Sequence, residues 1–63
     1  MILDDFEQIC LKSGKNRKEI GLDAGYANTT VYYILQRRNC NLNTLEDILD
    51  SLGYELKIVK KEN

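Results

Sequence analysis

Asn16-Arg17-Lys18-Glu19-Ile20-Gly21-Leu22-Asp23-Ala24-Gly25-Tyr26-Ala27-Asn28-Thr29-Thr30-Val31-Tyr32-Tyr33-Ile34-Leu35-Gln36-Arg37-Arg38 is the stretch that decides the fold. It reads as two short helices meeting at a glycine. Asn16 can accept from an orphan amide while Glu19, three positions on, reaches back, a capping-box spacing that opens the first of the two helices. Ile20 and Ala24 share its inner face. Gly25 takes positive φ without a Cβ penalty, as a tight turn between two steeply crossed helices requires. Val31, Ile34 and Leu35 then place the next apolar stripe at helical spacing.

The pattern Asn16-Arg17-x-Glu19-Ile20-Gly21-x-x-Ala24-Gly25-Tyr26, followed by Asn28-Thr29-Thr30-Val31-x-x-Ile34, resembles the helix-turn-helix of the phage Cro and repressor type, the XRE family. Leu42-x-x-Leu45-x-x-Ile48-Leu49-x-x-Leu52-Gly53-Tyr54 is similar to the fourth helix of such domains, which ends in Leu-Gly. Together the matching positions run from residue 16 to 59. The resemblance implies a mainly all-α fold, a small four-helix Cro/repressor-like helix-turn-helix domain, and DNA as the partner. Ala27 departs from the family, which usually carries a capping Ser or Thr there. Asn28 can take over the cap one residue later, in competition with a role as a base reader.

A chain of 63 residues has room for one domain, residues 1 to 63. A domain of this size buries only about 60% of its unfolded surface, so a partner is the expected source of extra stability. No histidine is present, and Cys10 and Cys40 lack paired ligand spacing, so neither metal nor cofactor is expected. The two cysteines read as free thiols of a cytosolic protein, with a disulfide between them as the alternative. No run approaches the ~18 apolar residues of a membrane span. Met1-Ile-Leu-Asp-Asp has neither the basic start nor the apolar length of a signal peptide, so the expected location is the cytoplasm.

Nine Lys and Arg stand against ten Asp and Glu, a formal net charge of -1, which is not the basic balance of a generic nucleic-acid binder. Charge acts locally, however, because the Debye length is about 8 Å at physiological ionic strength. Positive residues crowd into Lys12 to Lys18 and Arg37-Arg38, whereas Asp4, Asp5, Glu7, Glu46, Asp47 and Asp50 fall on other elements. The expectation is a dipolar surface with DNA on one side.

Helices are expected at about residues 2–13, 17–24, 28–37 and 42–52. Ile2, Leu3, Phe6, Ile9 and Cys10 form the inner stripe of the first, which Gly14 should stop. Gly21 sits where the second and third helices should approach closely; otherwise it is a plain weakness of ~1 kcal/mol in a marginal helix. Asn41 or Asn43 caps the fourth helix, whose core face is Leu42, Leu45, Ile48, Leu49 and Leu52. Gly53 is its stop.

On the third helix Val31, Ile34 and Leu35 point inward, so Asn28, Thr29, Tyr32, Tyr33 and Gln36 project outward. Such a helix fits the major groove of double-stranded DNA, with its N-terminal residues at base edges. Asn28 suits adenine, Thr29 a thymine methyl or a base acceptor, and Tyr32 and Tyr33 reach bases or phosphate through their hydroxyls. The junction Lys15-Asn16-Arg17-Lys18 offers cations and helix-end amides to a phosphate. Carried over from the family, Arg17, Asn28, Thr29 and Tyr33 hold contact positions, with Gln36 and Arg38 on the backbone. The competing readings are structural: the tyrosines as packing partners at a protein interface, Asn28 to Thr30 as a helix start, and Arg37-Arg38 as helix-end cations.

Beyond Gly53 the period changes to two. Tyr54, Leu56 and Ile58 alternate with Glu55 and Lys57, the pattern of a half-buried strand over about residues 54–60. A lone strand cannot satisfy its amides, so its expected partner is a second copy, with Tyr54, Leu56 and Ile58 at a homodimer interface. A frayed or helical tail is the alternative. An operator-binding homodimeric repressor is thus the leading expectation. The rival is the same fold used as a protein-binding module, an inhibitor or an antitoxin with a toxin as partner, which the acidic pI of 5.2 keeps in play. No catalytic constellation is present, and an enzyme is not expected.

Overall fold

The computed structural model describes residues 2–60. Four helices follow in order: α1 Ile2–Lys12, α2 Arg17–Asp23, α3 Thr30–Arg37 and α4 Leu42–Ser51. Among the described residues there is no strand. α2 packs against both α3 and α4, and each helix contributes one of the largest fully buried side chains: Phe6, Ile20, Val31 and Ile48. Cys10, Ile34, Leu35, Leu45 and Leu49 complete the buried core. These are positions that three-and-four spacing places on the inner face.

The capping box at α2 forms as expected, with Asn16 Oδ1 accepting from the Glu19 amide at 2.9 Å and the Asn16 amide donating to Glu19 Oε1 at 3.4 Å. At α4 the two candidate caps resolve to Asn41, whose Oδ1 accepts from the Asn43 amide at 2.9 Å. α3 is the exception. It begins at Thr30, two residues later than expected, because neither Asn28 nor Thr29 caps it: Thr29 sits in the αR region with no side-chain cap bond. The Thr30 amide instead closes a turn onto the Ala27 carbonyl at 3.1 Å. The cap that Ala27 lacks is therefore not taken over by its neighbour.

α2 and α4 end by the same device. After α2 the Gly25 amide donates to Leu22 O at 3.0 Å and the Tyr26 amide to Gly21 O at 2.9 Å. After α4 the Gly53 amide donates to Asp50 O at 3.0 Å and the Tyr54 amide to Leu49 O at 2.9 Å. Both are Schellman closures, and both glycines have φ of 86°, where a side chain is unfavourable. Arg38 ends α3 in the same left-handed region, φ 54°, but with a Cβ.

Gly21 has the packing role expected of it. A Cβ there would lie 2.6 Å from the Ala27 carbonyl oxygen, so the backbone of the turn leading to α3 rests directly on α2. Tyr26 adds a polar tie, its hydroxyl donating to Asp47 Oδ2 of α4 at 2.6 Å.

The tail differs from expectation. Residues 54–60 have no regular secondary structure, since in a single chain no neighbouring strand exists to pair their amides. Leu56, expected at a dimer interface, is packed against the chain's own core. It lines a cleft with Ile2, Phe6, Ile9 and Leu49. Tyr54 is half exposed, and Ile58 and Val59 stand in solvent at 103% and 80% exposure.

Candidate nucleic-acid interface

Asn28, Thr29, Tyr32, Tyr33 and Gln36 are all exposed, while Val31, Ile34 and Leu35 of the same helix are buried. Burial of one face fixes the rotation of α3 about its axis, so the opposite face is presented as a unit. Five of the expected site residues meet at one groove. Asn16, Arg17 and Lys18 from the start of α2 face Asn28, Thr29 and Tyr32 from the start of α3 across a cavity of about 480 Å³. Lys18, one of the junction cations that the sequence offers to a phosphate, completes that lining.

Tyr33 lies beside the groove. Its ring meets Tyr32 edge-on, with centroids 5.4 Å apart, and the Arg37 guanidinium lies 5.0 Å from its centre. A cation over an aromatic face is attracted by the ring quadrupole, so Arg37 and Tyr33 restrain one another. Sequence spacing leaves this pair visible at i and i+4, but nothing in the sequence distinguishes it from two independent side chains. Asn28 and Gln36 are exposed and make no side-chain hydrogen bond among the described residues.

The cations are arranged differently from the expected dipolar surface. Arg38 does not extend as a free backbone contact: its Nη2 is paired with Asp4 Oδ1 and its Nη1 with Glu7 Oε1 at 3.3 Å. Arg17 Nη2 lies 3.8 Å from the other Glu7 oxygen. Lys15 Nζ is 2.8 Å from Asp23 Oδ2, and the hydrogen bond to that carboxylate holds the ammonium above its usual pKa. The acidic face of α1 has thus come to the arginines rather than standing apart from them. The reason is tertiary: packing Phe6 and Cys10 into the core aims Asp4 and Glu7 at the ends of α2 and α3.

The start of α2 is likewise less open than expected. Its capping box occupies amides and brings the Glu19 carboxylate to that end. The Asn16 side-chain Oδ1 is committed to the cap. What this junction presents to an anion is the side-chain charge of Lys18 together with that of Lys15 and Arg17, whose ion pairs with Asp23 and Glu7 are exposed enough to exchange.

The cysteines are free thiols, Cys10 buried on α1 and Cys40 half-buried after α3. Burial pushes both thiols up from their ordinary pKa, which lowers their thiolate fraction. Among the described residues no group of His, Cys, Asp or Glu is placed to hold a metal ion, and no helix is long and apolar enough to cross a membrane. Comparison of the chain with protein-family models, with curated proteins and with solved structures returned no match.

Proposed function

We propose that this protein is a sequence-specific DNA-binding transcriptional regulator, a repressor that acts as a cytoplasmic homodimer on a palindromic operator. The observation that carries the reading is the division of α3. Its inner residues are core, and its outer residues, Asn28, Thr29, Tyr32, Tyr33 and Gln36, are exposed beside the cationic start of α2. A helix so mounted has the dimensions to enter the major groove, where its first residues meet base edges and flanking cations meet phosphate. Asn28 and Thr29 read sequence, while Lys15, Arg17 and Lys18 set position.

In a dimer the two α3 helices lie about 34 Å apart, one turn of B-DNA. The exposed Tyr54 and Ile58 of the tail supply the contact, each tail pairing as a strand with its twin. Occlusion of a promoter is the resulting mode of action. Selection of bound duplexes from a random pool, followed by titration of the enriched sequence and a scrambled control, tests the proposal. Enrichment of an inverted repeat is expected, and retention of no duplex even at low salt would sink it.

A second reading has its own observation. Arg38 is held by Asp4 and Glu7, and Lys15 by Asp23, which makes the surface less basic than its cations alone would, with the Tyr32–Tyr33 pair exposed on it. Such a surface suits a partner protein, as in an inhibitor or antitoxin. Salt dependence of retention on duplex DNA separates the two, being steep only for a phosphate binder.

A further inference from the structure

Arg17 occupies a boundary between two concavities. On one side it lines the groove with Lys18, Asn28, Thr29 and Tyr32. On the other it lines a cleft of about 270 Å³ with Glu7, Cys10 and Leu11 of α1. Its backbone is fixed as the first residue of α2 behind the Asn16 cap, whereas its side chain is 44% exposed and lies 3.8 Å from Glu7 Oε2, at the outer limit of an ion pair. Glu7 is held more firmly from elsewhere, its Oε1 bonded to Arg38 at 3.3 Å. An anchored carboxylate thus faces a loosely paired guanidinium that also borders an open groove.

We infer that Glu7 competes internally with nucleic-acid phosphate for Arg17, and so sets how tightly the groove holds a duplex. The inference rests on the DNA-binding reading. When Arg17 turns to a phosphate, the Glu7–Arg17 contact is broken and the carboxylate keeps only its bond to Arg38. The exchange subtracts from affinity on every sequence alike, because phosphate contacts carry no base information. It also subtracts from the salt dependence, to the extent that the vacated Oε2 side of Glu7 takes up a solvent cation in place of one released from the DNA.

The test uses the full chain and a mixed-sequence duplex of about two helical turns, titrated by fluorescence anisotropy over a range of low salt concentrations. Glu7→Gln is expected to bind about two- to fivefold more tightly than wild type, the range given by the worth of an exposed ion pair. Its plot of log affinity against log salt should steepen by up to about one unit. Glu7→Asp keeps the charge but withdraws the carboxylate by one methylene, and is expected to show a smaller gain of the same sign. Asp50→Asn removes the same charge from α4, away from the groove, and is expected to leave affinity near wild type. In an Arg17→Gln background the Glu7→Gln gain should vanish.

Circular dichroism of each variant confirms that its helices are intact. If wild type binds but Glu7→Gln and Glu7→Asp show no gain, or Asp50→Asn gains as much, or the gain survives without Arg17, the competition is overturned while the DNA-binding reading stands. If neither wild type nor Glu7→Gln binds the duplex at the lowest salt, both are overturned.

Discussion

The Ala27 carbonyl oxygen lies 2.6 Å from the place a Cβ on Gly21 would occupy, closer than real Cβ atoms come to backbone. The obstruction is main chain, which cannot rotate away. The contact sets the spacing of α2 from the turn into α3, and hence the width of the groove between Arg17 and Asn28.

Gly21→Ala tests that spacing through its sign. In an exposed helix the change would stabilise by about 1 kcal/mol, whereas overpacking at a close contact costs about 1–3 kcal/mol. Urea denaturation should show a net loss. A variant as stable as wild type would mean that α2 and the turn separate freely.

Two variants of Arg38 probe its left-handed backbone. Arg38→Ala and Arg38→Gly both remove the contacts to Asp4 and Glu7, but only alanine retains a Cβ at φ 54°. The glycine variant should be the more stable by about 1–2 kcal/mol. Equal midpoints would show that the helix end relaxes once the ion pairs are gone.

Stability should decline on the alkaline side. Burial raises the Cys10 and Cys40 thiols, the hydrogen bond to Asp47 raises the Tyr26 phenol, and the hydrogen bond to Asp23 raises the Lys15 ammonium. Each group holds its proton more tightly folded than unfolded, so the folded state binds more protons at high pH. The stabilisation is complete below the ordinary values, 9.0 for the thiols, 10.0 for tyrosine and 10.5 for lysine. It is lost as pH rises through the higher folded values. Thermal midpoints followed upward from neutral pH should fall once pH passes about 9, less steeply in Tyr26→Phe. A midpoint that stays level into strong alkali counts against these shifts.

On DNA, Arg17→Ala should lower affinity for cognate and scrambled duplexes alike. Asn28→Ala should weaken discrimination at one base pair by about 1–3 kcal/mol and leave the scrambled duplex unaffected. An equal loss on both duplexes would remove Asn28 from base reading.

Local and periodic features were legible in the sequence. The capping box at Asn16 and Glu19, the core stripe Val31, Ile34 and Leu35, the turns at Gly25 and Gly53 and the close approach at Gly21 are each specified within a few residues of one another. Helix ends shifted by a residue or so, and α3 by two, because a cap depends on a rotamer choice that residue type alone leaves open. The partners of Arg38, Arg17 and Tyr26 were not legible. Asp4 and Glu7 meet Arg38 across 34 and 31 residues, and Tyr26 meets Asp47 across 21, distances at which pairing follows from how the helices pack. The tail shows the same boundary from the other side: alternation of Tyr54, Leu56 and Ile58 marks a strand only when another strand lies beside it, and in one chain Leu56 turns to the core instead.

Phe6, Ile20, Val31 and Ile48 come one from each helix and meet in a single core. No helix can then detach without dismantling the shared centre, so opening should be all-or-none, with amides of α1 and α3 exchanging through the same global event. α3 consequently has no private reserve of stability: a lesion in α1 or α4, far from any ligand, would dissolve the outward face of α3 together with everything else.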